Sequence, residues 1–204
     1  MGTGNKKWLI RKYRHEDCRQ ILKLFYDTVH SVNRRDYSEE QVNAWAPEEP
    51  DASFWQQSLE SHYTLVAEQA GEVIGFGDVD GGYLDRLYVH RDHQGEGVAS
   101  SLVWRLEAHA AAEGYVRITV LASVTARPFF ERRGYRVEEE RTAKRRGARL
   151  RQFLMEKRLP GCAESRGAAE SHKTGGNPGK SGNKSLTKCK TLLYNLSNGD
   201  DEEK

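Results

Sequence analysis

Two glycines separated by one residue form the part of this sequence best suited to bind a charged ligand. The stretch at 94–99 reads QGEGVA, between a strand-like apolar segment at 84–89 and a long helix-favouring run that begins near residue 97. The first turn of a helix has backbone N–H groups without partners inside the helix, and the helix dipole adds partial positive charge there. The pattern therefore predicts an anion-binding turn of the kind that holds phosphate groups.

Two familiar phosphate-binding motifs do not fit this turn. A P-loop needs Gly-Lys-Ser/Thr at the start of the helix, whereas Gly97 is followed by Val98 and Ala99. The spacing of the glycines approaches the dinucleotide pattern GxGxxG, but the preceding strand belongs to a series of hairpins. The segment about twenty residues further on also has no acidic residue to bind a ribose. Both alternatives are rejected.

The turn does match Q-x-x-G-x-G/A, the pyrophosphate loop of the GNAT superfamily of acyl-CoA-dependent N-acyltransferases. The chain closely resembles this superfamily over residues 8–159. The resemblance includes LDRLYV at 84–89 before the loop, the helix after it, the strand at 119–122, and ARPFFERRGY at 126–135 as the late motif. The opening segment at 10–30 and NAWAP at 43–47 resemble the small YafP-like branch of the superfamily.

The resemblance implies that acetyl-CoA is the cosubstrate. The amides at 95–99 would face its pyrophosphate, and its pantetheine arm would pair with the strand at 87–89, which requires the strand at 118–122 to diverge. The implied CoA-binding residues are Leu87, Tyr88, Val89, Gln94, Gly95, Glu96, Gly97, Val98, Ala99, Ser100, Arg127 and Phe130. We expect no metal, because Asp78 and Asp80 fit a hairpin turn and lack calcium-loop spacing, and His90 and His93 have no further ligands nearby.

The resemblance also implies direct transfer of the acetyl group to an amine, which needs a base for the amine proton and an acid for the departing thiolate. The family motif N-x-x-A-x-x-F-Y commonly supplies that acid as its tyrosine, but this chain has Phe130 at the position. Ser123, Tyr135, Tyr88 or solvent are the alternatives. We expect Ser123 to donate the proton, although it could instead cap the following helix.

Asp85 is the predicted base, because the family often places a carboxylate on this strand. Strand alternation would place Asp85 on the same face as Leu87 and Val89. The alternative is a structural ion pair with Arg86 or Arg117. The backbone N–H near Tyr88 is the predicted oxyanion donor.

The expected acceptor is a primary amine on a small molecule. A protein or peptide amine is an alternative, and Phe130 keeps open a non-catalytic CoA-binding module. Two sets of residues could contact the acceptor: a basic hairpin tip at 144–146, which could also be simply solvated, and the aromatic residues Tyr26, His30, Tyr37, Trp45 and Trp55.

Apolar patterning predicts the elements that position these residues. Strands are expected at 8–13, 63–69, 73–80, 83–89, 116–122, 135–141 and 150–159, with helices before, between and after them. Two-residue turns at 70–71 and 81–82 predict hairpins. The expected fold is α/β (α+β), a GNAT-like mixed and mostly antiparallel sheet of six to seven strands, flanked by helices, with a splayed central strand pair.

Composition limits the remaining classes. The chain has 204 residues, 37% hydrophobic and 30% charged, and a net charge of +2. No apolar run is long enough for a membrane span, so we expect a cytoplasmic protein without a membrane partner. The charge balance favours no nucleic-acid partner, and the three scattered cysteines favour neither disulfides nor zinc. A homodimer would be common for the superfamily. Residues 1–160 form the predicted domain, and the Gly/Ser/Lys-rich residues 161–204 form a predicted disordered tail.

Overall fold

The computed structural model describes residues 8–160, so the predicted tail at 161–204 lies outside the described residues. This part of the chain folds around a seven-stranded sheet of order β1-β2-β3-β4-β5-β7-β6. The strands are β1 (Leu9–Lys12), β2 (Tyr63–Gln69), β3 (Glu72–Asp80), β4 (Tyr83–Val89), β5 (Arg117–Ser123), β6 (Arg136–Arg145) and β7 (Ala148–Arg158). The helices are α1 (Cys18–Ser31), α2 (Glu39–Trp45), α3 (Ala52–Ser61), α4 (Val98–Ala112) and α5 (Arg127–Arg132).

Helices cover both faces of the sheet. On one face the fully buried Leu102 and Leu106 of α4 pack against strand residues such as Ile118. On the other face the apolar stripe of α1, which includes Ile21 and Phe25, packs against Phe76 of β3. None of the helices within residues 8–160 is long and apolar enough to cross a membrane.

Two irregularities in β4 shape the centre of the sheet. Asp78 of β3 pairs with Arg86, and the next residue, Val79, pairs with Leu84, so Asp85 is an extra residue in the ladder, a β-bulge. On its other edge β4 pairs in parallel with β5 only at its first two residues, Tyr83 and Leu84. Beyond them the two strands diverge. The predicted mixed, mostly antiparallel sheet and its splayed strand pair are therefore confirmed.

The last hairpin is longer than the sequence pattern predicts. β6 is exposed along most of its length, so it lacks the apolar alternation by which strands are recognised. Its regularity comes from the ladder with β7, which continues up to the pair Arg145 and Ala148. Arg146 and Gly147 close the hairpin, both at positive φ (44° and 83°), as a two-residue turn of this kind requires.

Candidate active site

A cleft of about 480 Å³ opens where β4 and β5 separate. Its walls combine the ends of these strands, the loop before α4 and the first turn of that helix, and parts of α1, α2 and α5. The predicted site residues that line it are Asp85, Leu87, Tyr88, Val89, Gln94, Gly95, Gly97, Val98, Ala99, Ser100, Ser123 and Phe130. The cleft is thus the place where most of the predicted site converges.

The glycine turn is built from left-handed backbone. Gly95 has a φ of 79°, and Gly97, the N-cap of α4, has a φ of 86°. A Cβ atom on either glycine would meet nothing within 4 Å, so glycine is needed for its conformation and the space in front of the turn is open. The first turn of α4 carries no acidic residue. The backbone N–H groups at the start of α4 give this open helix end a partial positive charge, which fits a pyrophosphate group such as that of CoA.

Gln94 supports the turn from within the protein. Its Nε2 donates a hydrogen bond to the carbonyl oxygen of Val89 at 2.6 Å, and the Thr28 hydroxyl donates to the same oxygen at 3.4 Å. The side-chain amide therefore fixes the end of β4 against the start of the loop.

Within residues 8–160, no strand lies beside the cleft-facing edge of β4 after Leu84. Leu87, Tyr88 and Val89 lie along this edge and line the cleft. Backbone groups on an unpaired strand edge can form hydrogen bonds with an extended ligand. The edge thus fits the amide-containing pantetheine arm of CoA.

Two predicted CoA-binding residues do not line the cleft. Glu96 is exposed and accepts a contact from His93 Nδ1 at 3.0 Å. Arg127 bonds to Glu131, and its guanidinium covers the ring of Phe153 at 4.5 Å. Their assignments remain predictions that the cleft geometry does not favour.

The three candidate acid side chains, Ser123, Tyr135 and Tyr88, occupy different environments, and Phe130 stands at the position of the family's usual acid. Phe130 is 2% exposed and packs between the rings of Phe129 and Tyr135. The Tyr135 hydroxyl donates to Glu107 at 3.1 Å and does not line the cleft, and burial raises the pKa of Tyr135. Burial also raises the pKa of Tyr88, which does line the cleft.

Ser123 lines the cleft at the end of β5 and is 7% exposed. Its Oγ accepts a hydrogen bond at 3.1 Å from the N–H of Ala126, which lies in the turn before α5. The N-cap of α5 is Ala126, without a side-chain capping bond, so Ser123 does not cap that helix. The bond from Ala126 uses an oxygen lone pair and not the hydroxyl hydrogen. The bond to Ala126 and proton donation are therefore compatible at this residue.

Tyr37 holds the wall beside Ser123. Its hydroxyl donates to the carbonyl of Arg151 at 2.5 Å and accepts from the N–H of Val124 at 2.9 Å. The side chain is 5% exposed, so its role is to tie the end of β5 to β7 from the protein interior. Among the aromatic residues considered as an acceptor wall, Trp45 lines the cleft.

Asp85 lines the cleft, but on a different face of β4 from the one predicted. Leu84, Leu87 and Val89 pack toward α4, whereas the Asp85 carboxylate approaches Arg86 Nε at 3.4 Å and His62 Nδ1 at 3.9 Å. The bulge is the reason, because the extra residue breaks the strand alternation on which the prediction relied. The predicted pairing with Arg86 is present, whereas Arg117 pairs with Glu156.

Behind Asp85 lies a buried charge network that the sequence reasoning missed. Asp78 is completely buried and accepts hydrogen bonds from Arg86 Nη2 at 2.5 Å and from His62 Nδ1 at 2.6 Å. The prediction that Asp78 belongs to a hairpin turn is wrong, since it lies inside β3 and only Asp80 borders the turn. The available signal was a carboxylate within the otherwise apolar strand segment VIGFGDV.

The network sets opposite charge preferences for its two carboxylates. Burial raises the pKa of Asp85 against the opposing charge of Arg86, and the nearby Asp78 raises it further. Burial would also raise the pKa of Asp78, but the charge of Arg86 and the bond from His62 outweigh it, so that pKa is lowered. Asp85 is thus the carboxylate in this network that is disposed to take a proton.

The same network contains three groups that could ligate a metal ion. Ligand atoms of His62, Asp78 and Asp85 lie within 4.8 Å of one another. The guanidinium of Arg86 already bonds both oxygens of Asp78, which places a positive charge where a cation would compete. The expectation that the protein needs no metal stays a prediction.

Comparison with known proteins agrees with this architecture. Residues 33–159 match the acetyltransferase (GNAT) domain family. The chain is 33% identical to the uncharacterized N-acetyltransferase YafP of Escherichia coli (strain K12) over 146 residues, which cover 72% of this chain and 93% of that protein. A GCN5-related N-acetyltransferase structure (aminotransferase, class-II) from Rhodopseudomonas palustris superposes with a TM-score of 0.74 at 33% identity, covering 78% of this chain and all of that one.

A more distant structure shares the fold. The PaiA N-acetyltransferase of Thermoplasma acidophilum, solved in complex with coenzyme A, superposes with a TM-score of 0.62 at 19% identity, covering 74% of this chain and 98% of that one. The chain belongs to the GNAT family of acetyltransferases and is similar to YafP within it. It is an acetyl-CoA-dependent acyltransferase.

Proposed function

We propose that the protein is an N-acetyltransferase that moves the acetyl group of acetyl-CoA to a primary amine on a small molecule. The observation that carries this proposal is the position of Asp85, a partly buried carboxylate with a raised pKa, on the cleft wall where β4 and β5 separate. A carboxylate of this kind is suited to receive a proton from an attacking amine.

CoA would be held mainly by backbone groups. The N–H groups at the start of α4 and the left-handed turn would hold the pyrophosphate, and the unpaired edge of β4 at 87–89 would hold the pantetheine arm. When bound, acetyl-CoA supplies the acetyl group as a thioester. The residues of the chain then have to position the amine and manage two protons.

Asp85 would take a proton from the amine as its nitrogen forms the new C–N bond. The backbone N–H near Tyr88 would donate to the developing oxyanion, a contribution of about 3 kcal/mol for donors of this type. As the C–S bond breaks, the Ser123 hydroxyl would protonate the thiolate and recover a proton from solvent. One proton lost by the amine and one gained by the thiol balance the reaction.

The elements that cover the acceptor side of the cleft, α2 and the β6–β7 hairpin, favour a small acceptor molecule. Helix α2 is tied to the β6–β7 hairpin by a bond from Gln41 to the carbonyl of Arg149 at 2.6 Å and one from Arg146 to the carbonyl of Ala44 at 3.4 Å. Trp45, at the end of α2, lines the cleft beneath this cover. A lysine on a folded protein would have to pass beneath these elements to reach Asp85.

The test is thiol release from acetyl-CoA by the full chain, with polyamines, aminoglycosides, amino acids, arylamines and short peptides as acceptors. We expect release with one class of small amines and a product that carries the acetyl group on nitrogen, identified by mass spectrometry. Release with peptides alone would replace the small-molecule proposal by the peptide alternative. Tight CoA binding without release for any amine would favour the non-catalytic alternative instead.

A further inference from the structure

Asn33 is a buried polar residue on the wall of the cleft. Two other polar residues of the cleft wall, Thr28 and Ser123, are buried to a similar extent. Thr28 donates to the carbonyl oxygen of Val89, and Ser123 accepts from the N–H of Ala126. Within residues 8–160, no group forms a hydrogen bond with the Asn33 carboxamide, although the residue is only 6% exposed. Because buried polar groups in folded proteins are nearly always paired, this carboxamide points to a ligand that enters the cleft.

The backbone around Asn33 is fixed by bonds that do not involve its side chain. Asn33–Arg35 form a short helical turn that follows α1. The carbonyl oxygen of Asn33 accepts hydrogen bonds from the N–H groups of Asp36 at 3.0 Å and Tyr37 at 3.1 Å. The carboxamide is therefore held at the cleft wall before a ligand binds, which lowers the entropy cost of binding.

The segment that carries Asn33 bridges the gap between the ends of β4 and β5. Before Asn33, the Thr28 hydroxyl donates at 3.4 Å to the carbonyl oxygen of Val89, at the end of β4. After Asn33, the Tyr37 hydroxyl accepts a hydrogen bond at 2.9 Å from the N–H of Val124, directly after β5. Asn33 lies between these two attachments and lines the cleft, so it is at the mouth of the gap, where the strands have diverged.

This position is beside the path of the pantetheine arm in the proposed binding mode of CoA. The arm would pair with the edge of β4 at 87–89, and Val89 is the last residue of that strand. Asp85, the proposed base, lies four residues before Val89, which is about 13 Å along a strand. Asn33 is therefore closer to the path of the arm than to the site of proton transfer from the amine.

The chemistry of a carboxamide also matches that of the arm. Its NH₂ group donates and its oxygen accepts, so it can bind another amide through both groups. A strand edge pairs with the amide groups on one side of an extended ligand and leaves those on the other side free. We propose that Asn33 is a CoA-binding residue and that its carboxamide forms hydrogen bonds with an amide group of the pantetheine arm. This inference rests on the placement of CoA in the proposed function and does not depend on which amine is acetylated.

The experiment compares the binding of CoA and of 3′-phospho-ADP, which is CoA without the pantetheine arm, to the full chain by calorimetry. In the variant Asn33→Leu, whose side chain has a similar size but no polar group, the dissociation constant of CoA should rise about tenfold. The dissociation constant of 3′-phospho-ADP should stay unchanged. The melting temperature of the unliganded variant should not fall, because no side-chain hydrogen bond within residues 8–160 is lost.

Asn43→Leu is the matched control. Asn43 is exposed, bonds to His30 at 3.0 Å and does not line the cleft. Its variant should bind CoA and 3′-phospho-ADP as the wild type does. Asn33→Gln, which keeps the carboxamide on a longer side chain, should bind CoA more tightly than Asn33→Leu.

Other results would overturn the inference. Equal losses of affinity for CoA and 3′-phospho-ADP would place the effect of Asn33 at the nucleotide end or in the fold. Unchanged CoA affinity with a raised KM for the amine would assign Asn33 to the acceptor instead. Equal affinity of the wild type for both ligands would overturn the placement of the arm as well. A chain that binds CoA as expected but acetylates no amine would leave the inference standing and overturn only the N-acetyltransferase proposal.

Discussion

The two ends of the cleft are formed by different kinds of chemical group. At the loop end, the groups that face the ligand space are backbone amides at the start of α4, shaped by Gly95 and Gly97, and no acidic residue lies in the first turn of that helix. At the other end, here called the acceptor end, Asp85 lies on the cleft wall. The charged side chains of His62, Asp78 and Arg86 lie behind it. One end is made by local backbone conformation, the other by charges brought together by the sheet.

This difference indicates which substitutions would disrupt each end of the cleft. A backbone site depends on φ and ψ, so its weak point is a residue that resists the left-handed conformation. A buried charge network depends on the balance between burial and neighbouring charge, so its weak point is the loss of one partner. Substitutions at the loop end should therefore affect CoA affinity, whereas those at the acceptor end should affect turnover and pH dependence.

The largest effect is expected for Asp85→Asn. If Asp85 is the base, kcat/KM for the amine should fall about 10²- to 10⁴-fold, whereas the dissociation constant of CoA should change by less than about twofold. Thiol release and calorimetric CoA binding measure the two quantities. Asp80→Asn, at the exposed end of β3, is the control and should behave as wild type. Full turnover in Asp85→Asn would limit Asp85 to its ion pair with Arg86.

The same residue predicts the pH profile of the wild-type enzyme. A base must be unprotonated to act, so kcat/KM should rise with pH through the pKa of Asp85, which burial raises above its ordinary value. Asp85→Asn should lose this acidic limb. If the limb persisted unchanged in the variant, another group would be responsible for it.

The next effect is expected at the loop end for Gly97→Ala. Its φ of 86° disfavours any residue with a Cβ by about 1–2 kcal/mol, so the first turn of α4 should be displaced and CoA affinity should fall about tenfold. Gly71→Ala is a close control, because Gly71 has a φ of 84°, equally open surroundings and a position in a hairpin outside the cleft. It should lose similar stability but keep its CoA affinity. Equal CoA affinity in both variants would contradict the placement of the pyrophosphate.

A smaller effect is expected for Ser123→Ala. Loss of the proton donor should lower kcat by up to about tenfold, since solvent can partly replace it. Loss of the contact with Ala126 should lower the free energy of unfolding by about 1 kcal/mol. Ser123→Thr keeps the hydroxyl and should retain both properties. A less stable Ser123→Ala variant with unchanged kcat would show that Ser123 serves only to stabilise the turn before α5.

The smallest expected effect is a pH dependence of the free energy of unfolding that comes from the titration of His62. Burial would lower its pKa, but the bond to Asp78 outweighs this and the pKa is raised above 6.5. The folded state therefore holds the proton more tightly than the unfolded state. Its contribution to stability is complete below the unfolded pKa and is lost as pH rises through the folded one.

His62→Gln should remove this dependence from the unfolding free energy measured by denaturant titration between pH 6 and 9. His15→Gln, whose side chain is 75% exposed, should keep it. An identical pH slope in wild type and His62→Gln would exclude His62 as its source.

Much of the molecule followed from short-range features of the sequence. The glycine turn, the helix α4 after it and the two hairpins at 70–71 and 81–82 depend on residues that are near neighbours in the chain. Such features leave a direct trace because φ, ψ and capping bonds are set within a few residues. The late motif also located Ser123 and Phe130 on the cleft wall.

The arrangement of charged side chains at the acceptor end was harder to predict from the sequence. The bulge at Asp85 reversed the face expected from alternation, and nothing within β4 alone indicates it, because a bulge is defined by the pairing with β3. His62, which follows α3, approaches Asp85 from another element of the fold, with its Nδ1 at 3.9 Å from the carboxylate.

The sequence by itself determined the order of strands and helices, the glycine turn before α4 and the family. Only the tertiary structure decided which carboxylate faces the cleft with a raised pKa and which one is buried as the partner of Arg86. The physical reason is that backbone conformation is set by near neighbours, whereas the charge state of a buried group depends on every element packed around it.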